Sequence, residues 1–190
     1  RSQLEDAGYA FSSKSDTEVI IKAFHCWGID AVKNFNGMFA IVIYDKDKNK
    51  FYLIRDRAGV KPLFWHLENG LLLFASELKS FHEHPRFRKK IDLNSLALYL
   101  KHGFIPQPYS IFQNTRKLMA GHFLEFDVSS FCFKEIKYWD IVDFAQKPRL
   151  KISYCEALDK TREILTSACE YRMVSDVPVG VFLSGGYDST

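Results

Sequence analysis

The chain has 190 residues, 47% hydrophobic and 26% charged, the balance expected of a soluble globular protein with one good-sized core, or one domain and part of another. A formal charge of +3 is too small to argue for a nucleic-acid partner or a membrane surface, and no apolar stretch approaches the roughly 20 residues that span a bilayer. The four cysteines (Cys26, Cys132, Cys155, Cys169) contain no Cys-x-x-Cys pair, which argues for reduced thiols in a cytosolic protein and against a zinc site or disulfide framework.

In chain order, Ser15-Asp16-Thr17-Glu18 reads as a capping box, with Ser15 as N-cap and Glu18 reaching back to it. Val19, Ile20, Ala23, Phe24 and Trp27 follow at helical spacing, and Gly28 ends that helix. Strands are expected over 38–44 and 51–55, joined by the polar run 45–50, and a second hairpin over 63–66 and 71–74 around Asn69-Gly70. His82 and His84 lie in a Pro-bounded loop without further ligands and read as solvent-exposed, not as a metal site. The basic run 86–90 reads as a solvated loop. Asp92 or Asn94 can cap a helix over 93–101 that Gly103 closes. A last hairpin, 122–127 and 131–139, turns at 128–130, and its alternating phenylalanines (Phe123, Phe126, Phe131, Phe133) read as core, not as a base-stacking platform. Consecutive antiparallel hairpins with few helices predict an α+β fold of stacked antiparallel sheets over residues 1–139.

Residues 140–152 read as a linker centred on Lys147-Pro148-Arg149. Ser153 then caps a long helix to about Met173, with an apolar stripe of Tyr154, Leu158, Thr161, Leu165 and Ala168. An apolar run, 179–183, opens into Ser184-Gly185-Gly186-Tyr187-Asp188-Ser189. Strand followed by a Gly-rich, hydroxyl-bearing turn is the order a phosphate cradle requires, because glycines let backbone N–H groups close on an anion. Residues 153–190 therefore read as the first helix and strand of a second, α/β domain. The lysine of the commoner G-x-x-x-x-G-K-[ST] loop is absent.

The loop Ser-Gly-Gly-Tyr-Asp-Ser resembles the pyrophosphate loop of ATP pyrophosphatases. Upstream, Ser-Asp-Thr-Glu (15–18), Phe-Asn-Gly-Met-Phe-Ala-Ile (35–41), Arg-Asp-Arg-Ala-Gly-Val-Lys-Pro-Leu (55–63), Phe-Ala-Ser-Glu-Leu-Lys (74–79) and Leu-Met-Ala-Gly-His (118–122) stand in the order and spacing of one family. Together these segments resemble glutamine-hydrolysing asparagine synthetase, over nearly the whole chain. The resemblance implies a class II, N-terminal-nucleophile glutaminase domain followed by an ATP pyrophosphatase domain, and a chain that is a fragment of the whole enzyme. In that family, glutamine hydrolysis supplies ammonia to a second site. There MgATP activates the aspartate side chain as an acyl-adenylate, releasing pyrophosphate, and ammonia displaces AMP. Hydrolysis in a sealed site keeps the ammonia unprotonated until it reacts.

Carried over by position, Asp16 matches the aspartate that binds the α-ammonium of glutamine. Leu183, Ser184, Gly185, Gly186, Asp188 and Ser189 match the ATP-binding loop, with Asp188 orienting Mg²⁺. Arg55-Asp56-Arg57 and residues 59–63 match a signature at the glutaminase core and read as a buried ion network around a turn. Glu77 reads as a structural partner. No catalytic residue is assigned: the family's nucleophile is an N-terminal cysteine, expected before Arg1, and none of the four cysteines fits that role. The cofactors implied are ATP and Mg²⁺, the partners glutamine, aspartate and ATP, the location cytoplasmic, with a homodimer left open. Tyr187 stands where leucine is common, which leaves the acceptor open between aspartate and another carboxylate such as a surface-polysaccharide sugar acid. A catalytically dead binding or regulatory module is the third reading.

Overall fold

Strands β1 (Ala40–Asp45) and β2 (Lys50–Arg55) carry apolar side chains at successive positions, so both faces of their sheet must be covered. The computed structural model describes residues 1–187 and satisfies that demand. Its elements in chain order are α1 (Ser2–Asp6), α2 (Asp16–Trp27), a 3-10 segment (Gly28–Asn34), β1 (Ala40–Asp45), β2 (Lys50–Arg55), β3 (Phe64–Glu68), β4 (Leu71–Ala75), a second 3-10 segment (Leu78–Glu83), α3 (Leu93–His102), β5 (Thr115–Lys117), β6 (His122–Asp127), β7 (Cys132–Lys137), α4 (Ile141–Ala145) and α5 (Tyr154–Arg172). They fall into two units, Arg1–Gln146 and Lys147–Thr190.

The first unit is α+β, with two antiparallel sheets ordered β1-β2-β6-β7 and β4-β3-β5. Register sorts the side chains of the larger sheet. Val42, Leu53 and Leu124 are mutual partners in one row, and Ile41, Ile54 and Phe123 in the next. The first row joins Leu63, Trp65, Leu118 and Phe126 in a core shared with the smaller sheet. The second row joins Val32, Phe24, Ile29 and Phe35 beneath α2 and the first 3-10 segment. Helix, sheet and sheet are therefore stacked layers. Full burial of Leu53, Leu118 and Leu124 stabilises the middle by about 1.5–3 kcal/mol each.

Local chemistry sets the element ends. The φ of +60° at Gly28 ends α2, and Gly103 takes a left-handed conformation after α3, whose N-cap Asp92 accepts from Ser95 N at 2.7 Å. Left-handed Asn69 and Gly70 turn the β3–β4 hairpin. β1 begins two residues later than the pattern predicts, and β3 runs from Phe64 to Glu68. His82 is half-buried, not exposed, stacked on Phe87 with ring centroids 5.9 Å apart and edge-on to Phe112 at 5.4 Å.

Several expectations need correction, the first being the core placement of Phe131 and Phe133, which are 43% and 41% exposed while Phe123 and Phe126 are buried. The expected linker 140–152 contains α4, because the Asp140 carboxylate accepts from Val142 N at 3.0 Å and caps a short helix. In the second unit, α5 forms with a full capping box: Glu156 N donates to Ser153 Oγ at 3.3 Å and Ser153 N to Glu156 Oε2 at 2.8 Å. The strand expected over 179–183 is absent, and those residues carry no regular structure. A strand needs a hydrogen-bonded neighbour, and no strand is present among the described residues of this unit. No helix among the described residues is long and apolar enough to cross a membrane.

Candidate functional site

The signature 55–63 forms the turn that leaves β2 for β3. Arg55 and Asp56 are buried, yet no contact ion pair joins Arg55, Asp56 and Arg57 among the described residues, so the expected ion network is absent. Backbone groups, joined by the Gln107 side chain, satisfy these charges instead. Arg55 donates from Nε to Lys61 O (2.9 Å), from Nη1 to Leu118 O (2.5 Å) and Gln107 Oε1 (2.9 Å), and from Nη2 to Gly59 O (2.5 Å). Asp56 accepts from Val60 N and Lys61 N at 2.9 Å and from Phe39 N at 3.3 Å. A guanidinium presents a fork of donors and a carboxylate only acceptors, so in a tight turn each finds more partners in carbonyls and amides than in the other. Burial lowers the Arg55 pKa, partly offset by the Asp56 charge nearby. Tyr138 donates to Arg55 O at 2.7 Å, and burial pushes its phenol up to about 12.

Two glycines allow this closure. At Gly59 (φ +65°) a Cβ would stand 2.9 Å from both Ala120 Cβ and Arg55 Nη2, and at Gly121 (φ +66°) 2.2 Å from Trp139 O. Arg57 fastens the turn to the helical layer, donating to Phe35 O at 2.5 Å and Lys33 O at 2.7 Å.

Asp16 is the first residue of α2, exposed, and its carboxylate has no hydrogen-bond or ion-pair partner among the described residues. Ser15 caps the helix by accepting from Thr17 N at 3.2 Å. The capping box does not form. Glu18 turns upstream, where Ser12 and Ser13 offer two amides and two hydroxyls, and Lys22 approaches from the next helical turn. The Ser-x-x-Glu spacing hid this arrangement; the signal that could have found it is Ser12-Ser13 ahead of the cap. No hydrogen bond or ion pair joins Asp16 to the 55–63 turn among the described residues.

In the second unit, Leu183, Ser184, Gly185 and Gly186 are exposed in irregular backbone, with Gly185 at φ +73°. A left-handed glycine suits a loop that turns its amides on an anion. Asp188 and Ser189 lie outside the described residues, and with them the only carboxylate the sequence reading assigns to Mg²⁺. No group of three or more metal-binding side chains is found among the described residues. Glu77 pairs with Lys79 at 2.7 Å on an open surface, a contact of little energetic weight.

The family model for the glutamine amidotransferase domain matches residues 1–139, and that for asparagine synthase matches residues 160–190. Asparagine synthetase [glutamine-hydrolysing] 2 of Bacillus subtilis is 38% identical over 95% of the chain and 25% of its own length. A Methanocaldococcus jannaschii protein, provisionally named for the same activity, is 42% identical over 93% of the chain and 34% of its own length. Amidase chry2 of Gibberella zeae is 30% identical over 100% of the chain and 27% of its own length. The chain thus spans about a quarter to a third of the length of these relatives.

Proposed function

The chain belongs to the glutamine amidotransferase domain family, and from that premise we propose that it is part of a glutamine-dependent asparagine synthetase. The observation that carries this is succession: a glutaminase-type domain and the beginning of a synthase-type domain follow one another on the same chain. The two antiparallel sheets under a helical layer fit an N-terminal-nucleophile glutaminase, and residues 153–190, with a helix and a Gly-rich turn, fit the start of an ATP pyrophosphatase.

In this reading Asp16 takes the α-ammonium of glutamine, its carboxylate being open at the start of α2. The 55–63 turn is architecture: it fixes the end of β2 to the helical layer and commits the buried Arg55 and Asp56 to holding the turn closed, with Lys61 as its exposed charge. Ser184, Gly185 and Gly186 line the turn that receives ATP phosphates, next to Leu183, with Asp188 and Ser189 completing it and Asp188 on Mg²⁺. MgATP supplies the activation, since a carboxylate is a poor acyl donor and a mixed anhydride with AMP has a good leaving group.

The experiment is AMP release by the full-length protein with MgATP and glutamine, with and without aspartate. Aspartate-dependent AMP matched by asparagine is expected. AMP release indifferent to aspartate would overturn the acceptor assignment in favour of a sibling amidotransferase acting on another carboxylate.

A further inference from the structure

The loop before α2 has no regular structure from residue 9 to 15 apart from a bend, yet it is tightly held. Both oxygens of the Glu18 carboxylate are used on it. Oε1 accepts from Ser12 N at 2.9 Å and Ser12 Oγ at 3.2 Å, and Oε2 from Ser13 N at 2.7 Å and Ser13 Oγ at 2.6 Å. Lys22, one turn further along α2, ties the same carboxylate to Ala10 O. The chain of contacts continues toward Asp16. Ser13 Oγ, whose O–H donates to Glu18, accepts from Ser15 N at 3.2 Å, and Ser15 Oγ accepts from Thr17 N. The residues on both sides of Asp16 are thereby fixed by one relay that begins at Glu18.

We propose that Glu18 is a positioning residue for glutamine: through Ser13 and Ser15 it sets the backbone from which Asp16 presents its carboxylate. This rests on the reading of Asp16 as the partner of the α-ammonium. The Glu18 side chain is only 17% exposed. Its pKa is held well below the usual carboxylate range, first by Lys22 and then by the Ser13 and Ser12 donors, so it stays an acceptor across the working pH range. Glutamine in place of Glu18 cannot reproduce the pattern, because its amide nitrogen donates and would face the Ser13 donors.

A contact to the α-ammonium is made equally in ground and transition states, so misplacing it raises KM and leaves chemistry downstream untouched. In the full-length protein, Glu18→Gln is expected to raise the KM for glutamine about tenfold while ammonium-supported turnover is unchanged. Glu18→Ala should do so more strongly and speed amide hydrogen exchange at residues 12–17. Asp16→Asn reports on the premise and should also raise the KM for glutamine. If it leaves that KM unchanged, the Asp16 assignment and the positioning role fall together. A raised KM in Asp16→Asn with an unchanged KM in Glu18→Ala overturns the positioning role alone, whatever the exchange rates. Loss of ammonium-supported turnover in Glu18→Gln would make Glu18 a stability residue instead, and would also overturn it.

Discussion

At the scale of single residues, the 55–63 turn shows what composition conveys and what it hides. Arg-Asp-Arg announces buried charge, but the partners are mostly carbonyls and amides, supplied by the turn itself and by distant residues such as Phe35, Phe39 and, 63 positions from Arg55, Leu118. No local pattern names those partners. Gly59 is the position where this is most exposed to test. A methyl group there meets Ala120 and the Arg55 guanidinium inside 3 Å, at a left-handed φ that side chains disfavour. Gly59→Ala should destabilise the first unit by about 2–4 kcal/mol, read as a shift in the urea midpoint with the slope unchanged. His66 offers a second test. The residue is 1% exposed, Nδ1 lies 3.0 Å from Thr115 Oγ1, and Nε2 is buried without a partner among the described residues. Burial lowers its pKa, so the fold prefers the neutral ring, and Glu68 only partly offsets this. The unfolded chain then takes up its proton first. Stability from this residue is therefore complete above about pH 6.5 and falls as the pH drops through that value. The melting temperature should decline between pH 7.5 and 5.5, and His66→Gln should flatten part of that decline.

At the scale of elements, hairpins were legible because their turn residues carry conformational information: Asn49 and Asn69 both take a left-handed backbone. Helix starts were legible less often. Ser15-x-x-Glu18 and Ser153-x-x-Glu156 have the same spacing, yet only the second is a reciprocal box. What separates them is the preceding loop. Ser12 and Ser13 compete for Glu18, whereas nothing among the described residues competes for Glu156. In α5 the box is the principal support of the helix start, since none of its residues is buried. Ser153→Ala should accordingly cost about 1 kcal/mol of helix stability, visible as faster amide exchange over residues 154–157. The 179–183 run fails as a strand for a reason that lies outside it. Apolar composition states a preference, and a neighbouring strand must supply the hydrogen bonds.

At the scale of the whole molecule, the unbroken apolar runs in β1 and β2 declare that a sheet has two covered faces, but not what covers each. That β2 lies between β1 and β6, some 70 residues later in sequence, is a long-range pairing that periodicity does not encode. The consequence is that Leu53 occupies the centre of the row Val42–Leu53–Leu124, facing the smaller sheet, with no exposed surface. It is also two positions from Arg55 on the same strand, so it shares a face with the guanidinium that closes the 55–63 turn onto Leu118. Leu53→Ala should therefore do two things at once. It should cost about 2–5 kcal/mol through the cavity left between the sheets. It should also loosen the turn, raising amide exchange at Val60 and Lys61, whose N–H groups are held by Asp56. Leu100→Ala, at a position on α3 that is 76% exposed, should stay within about 0.5 kcal/mol and leave those amides protected. If both variants lowered stability alike, the sandwiched sheet would not be the stabilising centre of the unit. The difference between them measures how far the fold of this glutaminase-type domain depends on a layer with two buried faces.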